Sequence, residues 1–540
     1  MVDWNYARIL EIVADELPDA PAQIQGERHF TWREFDRRAN ALAGWLRDQG
    51  AQHDDKIAQY LYNCPEYFES VFGGLKAGLV PVNVNYRYLD DELVYLVDNS
   101  DAAVVVFHAS FGDRLAGLRH RLPKVRAYLW VDDGLGGARP DWAEDYESIV
   151  GAGSDRLDVG WPRTADDVWM LYTGGTTGMP KGVMYRHADL WGSLGGGSNQ
   201  LAGTPPVGDY DELRERLRGN PGPRMLAACP LMHGTGQYIA LLMLSGGGSL
   251  VTLAPNATLD VGRLVQTVQD KGVNVLVIVG DAFAKPIVRH LEANPGAYDL
   301  STLLVTVSSG VMWSAPVKEA LLAQHPMILI DAYGSSEAIG LGQTNSMPGM
   351  GARTATFTLS ERCQVLREDG TPVSPGSGEV GRVAMSGFIP LGYYKDEAKT
   401  AATFPTYAGV RWSTPGDFAM VEADGSITLL GRGSVSINTG GEKVFPEEVE
   451  EALKEHPAVQ DAVCVGVPDD RFGEAITALV QREPGVEAGP PELIEHVKAR
   501  LAGYKQPRNV LFVETIGRSP AGKVDYKALR RHALHELGLD

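Results

Sequence analysis

The densest concentration of chemistry in the chain is the run Tyr172-Thr-Gly-Gly-Thr-Thr-Gly-Met-Pro-Lys-Gly182. Glycines let the backbone curl, and successive N–H groups turned inward form an anion-binding concavity. Thr173, Thr176 and Thr177 add hydroxyl donors, Gly174, Gly175 and Gly178 keep the backbone unobstructed, and Lys181 adds positive charge. That combination suits a polyphosphate. The Gly-Lys-Ser/Thr ending of a Walker A loop is absent, so the run is not that motif. Taken alone, it is also compatible with a plain Gly/Thr turn.

A loop of this kind has to be held by its flanking elements. The apolar Val168–Leu171 precedes it and a helical pattern near His187 follows. Through most of the chain, short apolar runs alternate with amphipathic segments. Lys56–Tyr62, Val80–Val84 and Ala102–Phe107 predict strands, and Glu66–Ala77 and a segment opening at Asp90 predict helices. The alternation returns with a helix at Leu259–Lys271, a strand at Val273–Val279 and a helix at Phe283–Glu292. A strand at Leu303–Val307, a helix at Ala315–Gln324 and a strand at Met327–Ile330 complete it. Short, fully apolar runs separated by helices imply parallel strands buried on both faces, hence an α/β body. From about residue 361 to 432, polar–apolar alternation and turns such as Ala423-Asp-Gly predict a smaller antiparallel β unit. Beyond it, Pro446 followed by Glu447 and Glu448 marks a helix start. With a strand at Asp461–Val467 and a helix at Glu492–Leu501, the last hundred or so residues read as a separate α+β domain.

Composition narrows the function. The chain has 540 residues, 44% of them apolar and 22% charged, which excludes a disordered protein and suffices for a large core. A net charge of −20 disfavours general nucleic-acid binding while leaving local basic nucleotide sites open. The 62 glycines follow no collagen period and point to tight turns and backbone approaches to ligands. The four cysteines, Cys64, Cys229, Cys363 and Cys464, form no CxxC pair and predict buried thiols in a reducing compartment. No secretory signal is read at the N-terminus, and the longest apolar stretch, Tyr238 to Leu244, is too short to span a bilayer. A cytoplasmic location is expected, with no transmembrane segment; a homodimer is compatible with the reading.

LYTGGTTGMPKG resembles the phosphate-loop signature of the adenylate-forming superfamily, which comprises acyl-CoA synthetases, peptide-synthetase adenylation domains and beetle luciferases. Four further motifs follow in that family's order: Tyr333-Gly-Ser-Ser-Glu337, Ser413-Thr-Pro-Gly-Asp417, Gly431-Arg432 at the domain junction, and Arg518-Ser-Pro-Ala-Gly-Lys523. The resemblance spans about residues 30 to 530. It implies a large N-terminal adenylation domain (1–432), a hinge at Gly433 and Ser434, and a small mobile C-terminal domain (435–540). It also implies ATP, Mg²⁺ and coenzyme A as cofactor and cosubstrates of a small-molecule carboxylic acid.

The resemblance further implies residue roles. A carboxylate becomes a good acylating agent once AMP is transferred to it, and because a negative oxygen must meet a negative phosphate, cationic stabilisation is the chief need. Lys523 is assigned to that task. Glu337, together with Thr173, would hold Mg²⁺, Tyr333 would stack on adenine, and Asp331 would accept from the adenine amino group. Gly310, Val311, Ala332 and Ser336 complete the nucleotide set, and Asp417 with Arg432 would bind the ribose hydroxyls. His233, in Pro230-Leu-Met-His-Gly-Thr-Gly, falls near the acyl carboxylate. Gly234, Gly236, Ser309, Gly310 and Gly334 would shape the acyl pocket. Asn438-Thr-Gly-Gly-Glu-Lys443 would present Gly440, Gly441 and Lys443 to coenzyme A, with Arg508 near its phosphates.

Ser434 stands where many relatives carry Asp or Lys. With Pro390-Leu-Gly-Tyr-Tyr-Lys-Asp-Glu, the junction is similar to that of actinobacterial fatty-acyl-CoA synthetases that activate steroid side-chain and other bulky polycyclic acids. The expected activity is therefore an ATP-dependent acid–CoA ligase for a bulky apolar acid. A stand-alone adenylation enzyme loading a carrier-protein thiol is the first alternative, and a non-catalytic nucleotide-binding relative the second.

Overall fold

A computed structural model describes residues 2–539 except 159, 175–178, 200–202, 256–258, 312, 440, 441, 470–472, 520, 521 and 523; the side chains of 432, 434, 442 and 443 also lie outside the description. Among the described residues the strands form three sheets.

The first sheet has a parallel centre. Val80–Asn83, Lys56–Tyr60, Ala102–His108 and Ala127–Val131 run side by side in the same direction. These strands are almost wholly buried, as their continuous apolar sequences predict. Val168–Thr173 joins parallel to Val80–Asn83 and pairs antiparallel with Lys181–Arg186, so Thr173 lies opposite Lys181.

The second and largest sheet repeats the pattern with Ser249–Val251, Arg224–Ala227, Val275–Ile278, Val305–Ser309 and Ile328–Ser335, all parallel. Ile328–Ser335 then folds back on Ala338–Ser346 as an antiparallel hairpin. Through Thr356–Leu359 the sheet continues into the predicted antiparallel unit, which includes Val380–Ser386, Asp417–Val421 and Ile427–Arg432. The predicted helix Ala315–Gln324 is observed with those bounds.

The C-terminal sheet centres on the long antiparallel pair Val459–Asp469 and Gly473–Arg482, with Asn509–Val513 parallel at one side. It has its own buried clusters, one around Val449, Leu453 and Leu493 under the helix Pro446–Lys454. The large body and small C-terminal domain of the expected α/β fold are thus both present. The four cysteines are free and buried, as their spacing implied. Among the described residues no helix is long and apolar enough to cross a membrane.

Candidate active site

The predicted site residues meet where parallel strands end. In open α/β sheets the carboxyl ends of strands are where ligands bind, because loops there are free to vary over a rigid base. Thr173 ends one strand of the first sheet, and Ser309 ends the strand Val305–Ser309 of the second. Ser336 and Glu337 form the turn between Ile328–Ser335 and Ala338–Ser346. His233 caps the N-terminus of the helix Gly234–Ser245. All of them line one cleft of about 2970 Å³. Ordinary small-molecule pockets enclose about 300–1,000 Å³, so this cleft has room for a nucleotide and a second large ligand together.

Thr173, Gly174, Lys181, His233, Gly234, Ser309, Gly310, Ala332, Tyr333, Gly334, Ser336 and Glu337 all contribute to its wall. Gly310 has φ +93, a left-handed conformation that favours glycine, and Thr235 Oγ1 would sit 3.4 Å from a Cβ there. Tyr333 stacks on Phe357 at 5.0 Å between ring centroids, and its hydroxyl donates to Asp417 Oδ2 at 2.9 Å. Asp417 is buried behind that tyrosine, while its neighbours Pro415 and Gly416 reach the cleft. Asp417 also pairs in register with Arg432 across the antiparallel ladder. Glu337 is fixed from both sides: the Tyr393 hydroxyl donates to its Oε1 at 2.8 Å, and Ser413 Oγ donates to its backbone carbonyl at 2.6 Å. Lys181 is paired with Asp396, which sits at the start of the helix Glu397–Thr403.

Asp331, Gly236 and Val311, like the Asp417 side chain, are absent from the cleft wall. The Asp331 carboxylate forms a buried ion pair with Lys318 at 2.7 Å and is absent from the cleft wall. The helix Ala315–Gln324 carries Lys318 into the interior, where its ammonium needs a counter-ion and also donates to the Arg353 carbonyl. Burial holds the Asp331 carboxyl above the usual carboxylate range, with the lysine opposing only part of the rise. Gly236 is likewise turned away. A Cβ there would lie 2.5 Å from the Pro230 carbonyl oxygen, so this glycine serves a close backbone approach inside the helix start.

Val311 is not on the cleft wall either, but it meets the C-terminal part of the chain. A Cβ on Gly522 would fall 2.6 Å from Val311 Cγ1 and 3.2 Å from Val279 Cγ1, so the segment just before Lys523 lies against the large body. Arg518 ties this segment down. It makes two bonds to Asp461, at 2.6 and 2.9 Å, and donates to the Gly522 carbonyl at 3.2 Å. Arg508 is exposed on the C-terminal domain, and its backbone N–H donates to Ile476. Gly433 opens a short 3₁₀ turn, Gly433–Val435, and its N–H donates to the Gly416 carbonyl. Gly175, Thr176, Thr177, Gly178, Gly440, Gly441 and Lys523 lie outside the described residues, as do the side chains of Arg432, Ser434 and Lys443.

Phe357, Tyr393, Lys318 and Asp396 shape the site without having been singled out in the sequence. Tyr393 and Asp396 do fall in the stretch Pro390 to Glu397, where a tyrosine pair beside a Lys-Asp dipeptide is a readable signal. Phe357 sits on a four-residue strand, Thr356–Leu359, and carries none.

The chain matches the model of the AMP-binding enzyme family over residues 10–394 and that of the AMP-binding enzyme C-terminal domain over residues 448–523. It is 43% identical to a 3-oxocholest-4-en-26-oate–CoA ligase of Rhodococcus rhodochrous, over 97% of this chain and 95% of the relative. It is 44% identical to a medium/long-chain-fatty-acid–CoA/3-oxocholest-4-en-26-oate–CoA ligase of Mycobacterium tuberculosis, with the same coverage. In fold it is similar to the crystal structure of the anthranilate CoA ligase AuaEII in complex with anthranoyl-AMP, with a TM-score of 0.85 and 23% identity, covering 100% of this chain and 99% of that one. Matched by both family models and similar along nearly its whole length to curated ligases, the chain belongs to the AMP-binding enzyme family.

Proposed function

We propose that this protein is an ATP-dependent acid–CoA ligase for bulky, largely apolar carboxylic acids, such as long-chain fatty or steroid side-chain acids. Acid and ATP give acyl-AMP and pyrophosphate, and acyl-AMP with coenzyme A then gives acyl-CoA and AMP. The observation that carries this reading is the continuity of one cleft from the phosphate-loop residues Thr173 and Gly174, past His233, into an apolar space along the helix Gly234–Ser245. Nucleotide and acid can therefore meet at His233. The full-length similarity to ligases of steroid and fatty acids supports both the reaction and the acid class.

In this reading Thr173, Gly174 and Lys181 hold the phosphates, joined by the loop 175–178. Tyr333 flanks the adenine, and Asp417, held by the Tyr333 hydroxyl, serves the ribose hydroxyls. A carboxylate suits a diol because it only accepts. Glu337 is a hard oxygen donor at the cleft, and among the described residues no group of three or more His, Cys, Asp or Glu gathers into a cage. That donor set fits Mg²⁺, which is commonly held by one or two carboxylates with substrate phosphates and water. The ion would supply charge neutralisation on the phosphates. Lys523 would stabilise the charge that develops at the α-phosphate, carried there by the segment that Arg518 ties to Asp461 and that lies against Val311. Residues 433 and 434 form the pivot between residues 1–432 and 435–540, letting the loop with Gly440 and Gly441 replace Lys523 for the thioester step.

A panel of acids tests the reading through acid-dependent pyrophosphate release and coenzyme A-dependent AMP formation. A large apolar acid gains about 25 cal/mol per Å² buried, whereas acetate offers little such area. Palmitate or a steroid side-chain acid should therefore exceed acetate in kcat/KM. Comparable values, or a requirement for a carrier protein in place of free coenzyme A, would contradict it.

A further inference from the structure

Beyond His233, the cleft continues along the helix Gly234–Ser245 as far as Gly246 and Leu304. At about 1.5 Å per residue, this 12-residue helix holds its ends about 18 Å apart, with His233 at one end and Gly246 at the other. Leu242 and Met243 line the space between them and are only half-buried, and Val307 of the parallel sheet lines it too. At its far end the space does not close. Gly246 is exposed, and Leu304 is 59% exposed.

Gly246 is a glycine that neither backbone nor packing requires. Its φ is −92, which any residue adopts. A Cβ there would find nothing nearer than 3.6 Å, the distance to the Leu242 and Met243 carbonyl oxygens. Its neighbours differ. Gly247 has φ +78, and a Cβ on Gly248 would lie 2.6 Å from the Pro223 carbonyl oxygen, so both must be glycine for structural reasons. What glycine supplies at position 246 is open space at the mouth of an apolar channel.

We infer that Gly246 keeps the far end of the acyl channel open, so that acids longer than the channel are accepted. The carboxylate sits near His233, the apolar body lies along Leu242 and Met243, and the far end of a long chain or fused-ring acid passes out between Gly246 and Leu304. This rests on the acid–CoA ligase reading given above and adds to it a specificity-determining residue and an open-ended acyl channel.

The test uses the full-length enzyme and its variants Gly246→Phe and Leu304→Trp, which narrow the mouth from two sides, with Gly246→Ala as the conservative control. Rates of coenzyme A-dependent AMP formation are compared for hexanoate, oleate and a steroid side-chain acid. The expected result for either narrowing variant is a loss in kcat/KM of about tenfold or more for the two large acids, with hexanoate within about twofold of wild type, because a pocket rejects excess bulk sterically while leaving shorter occupants alone. Gly246→Ala should keep the wild-type ratio. Turnover of hexanoate on the same preparation reports that the variant is folded. A raised preference for hexanoate in either folded variant supports the inference, and an unchanged ratio in both overturns it. Wild-type enzyme that forms no AMP with any acid removes the ligase reading itself, and the inference with it, whereas a wild type active on all three acids isolates the question to the mouth of the channel.

Discussion

Tyr333 does two things in one place: its ring packs on Phe357 and its hydroxyl holds Asp417. The hydrogen bond fixes the orientation of the carboxylate, which in the proposed reading would meet the ribose diol. A hydrogen bond to a charged group is worth roughly 1.5–3 kcal/mol, so Asp417→Ala should raise KM for ATP about tenfold or more at saturating acid. An unchanged KM would reduce Asp417 to a structural partner of the tyrosine. Away from the site, His108 and His187 are buried and accept backbone N–H groups from Tyr62 and Tyr6, at 3.0 and 3.3 Å. Burial lowers both imidazoles to about 4 from about 6.5, with Asp133 opposing at the first and Asp167 at the second. Between those two pH values the unfolded chain binds more protons than the native one. The stability these two groups contribute is therefore complete above about pH 6.5 and is lost as the pH falls towards 4. The urea midpoint should drop across that interval, and a flat profile would contradict the assignment of neutral histidines.

At the scale of elements, short parallel strands put their ends at one rim and leave the loops to carry chemistry. Much of this was legible in the sequence. Ala102–Phe107 is continuous, β-branched and apolar, and it lies in the parallel centre of a sheet as the strand Ala102–His108. Likewise, the polar–apolar alternation after residue 361 gave antiparallel strands such as Val380–Ser386. What was not legible depends on distant partners. Lys181 reads as a free cation for phosphate, yet its ion-pair partner Asp396 lies 215 residues away. Asp331 reads as a polar residue beside a nucleotide motif, and only the packing of a neighbouring helix reveals Lys318 as its counter-ion. The segment before Lys523 is a further case, because the Arg518–Asp461 pair that anchors it joins residues 57 apart. Breaking this pair should disturb adenylation more than thioester formation. Asp461→Asn should lower acyl-AMP formation by about tenfold, on the scale of one charge-assisted hydrogen-bonding partner, while supplied acyl-AMP is still converted. Equal losses in both half-reactions would assign the pair to folding alone.

For the whole molecule, the large body and the C-terminal domain have separate buried clusters, and among the described residues they touch through polar contacts, the Gly522–Val311 approach and the Phe418–Phe445 ring pair. Lys285 Nζ donates to the Gln460 carbonyl at 2.7 Å, and Arg289 pairs with Glu483, both from the helix Gly280–Ala293. An exposed ion pair such as Arg289–Glu483 is worth about 0–1 kcal/mol, so it would add little to the cost of the proposed change of domain pose. This arrangement places Gly522 against Val311. The most direct test of the account is single-turnover chemistry of Lys523→Ala, with both half-reactions measured on one folded preparation. The expected result is a loss in acyl-AMP formation of about 10²-fold or more, the cost of removing a preorganised electrostatic donor, with conversion of supplied acyl-AMP and coenzyme A to acyl-CoA nearly intact. Equal loss in the two half-reactions, or undiminished adenylation, would contradict it.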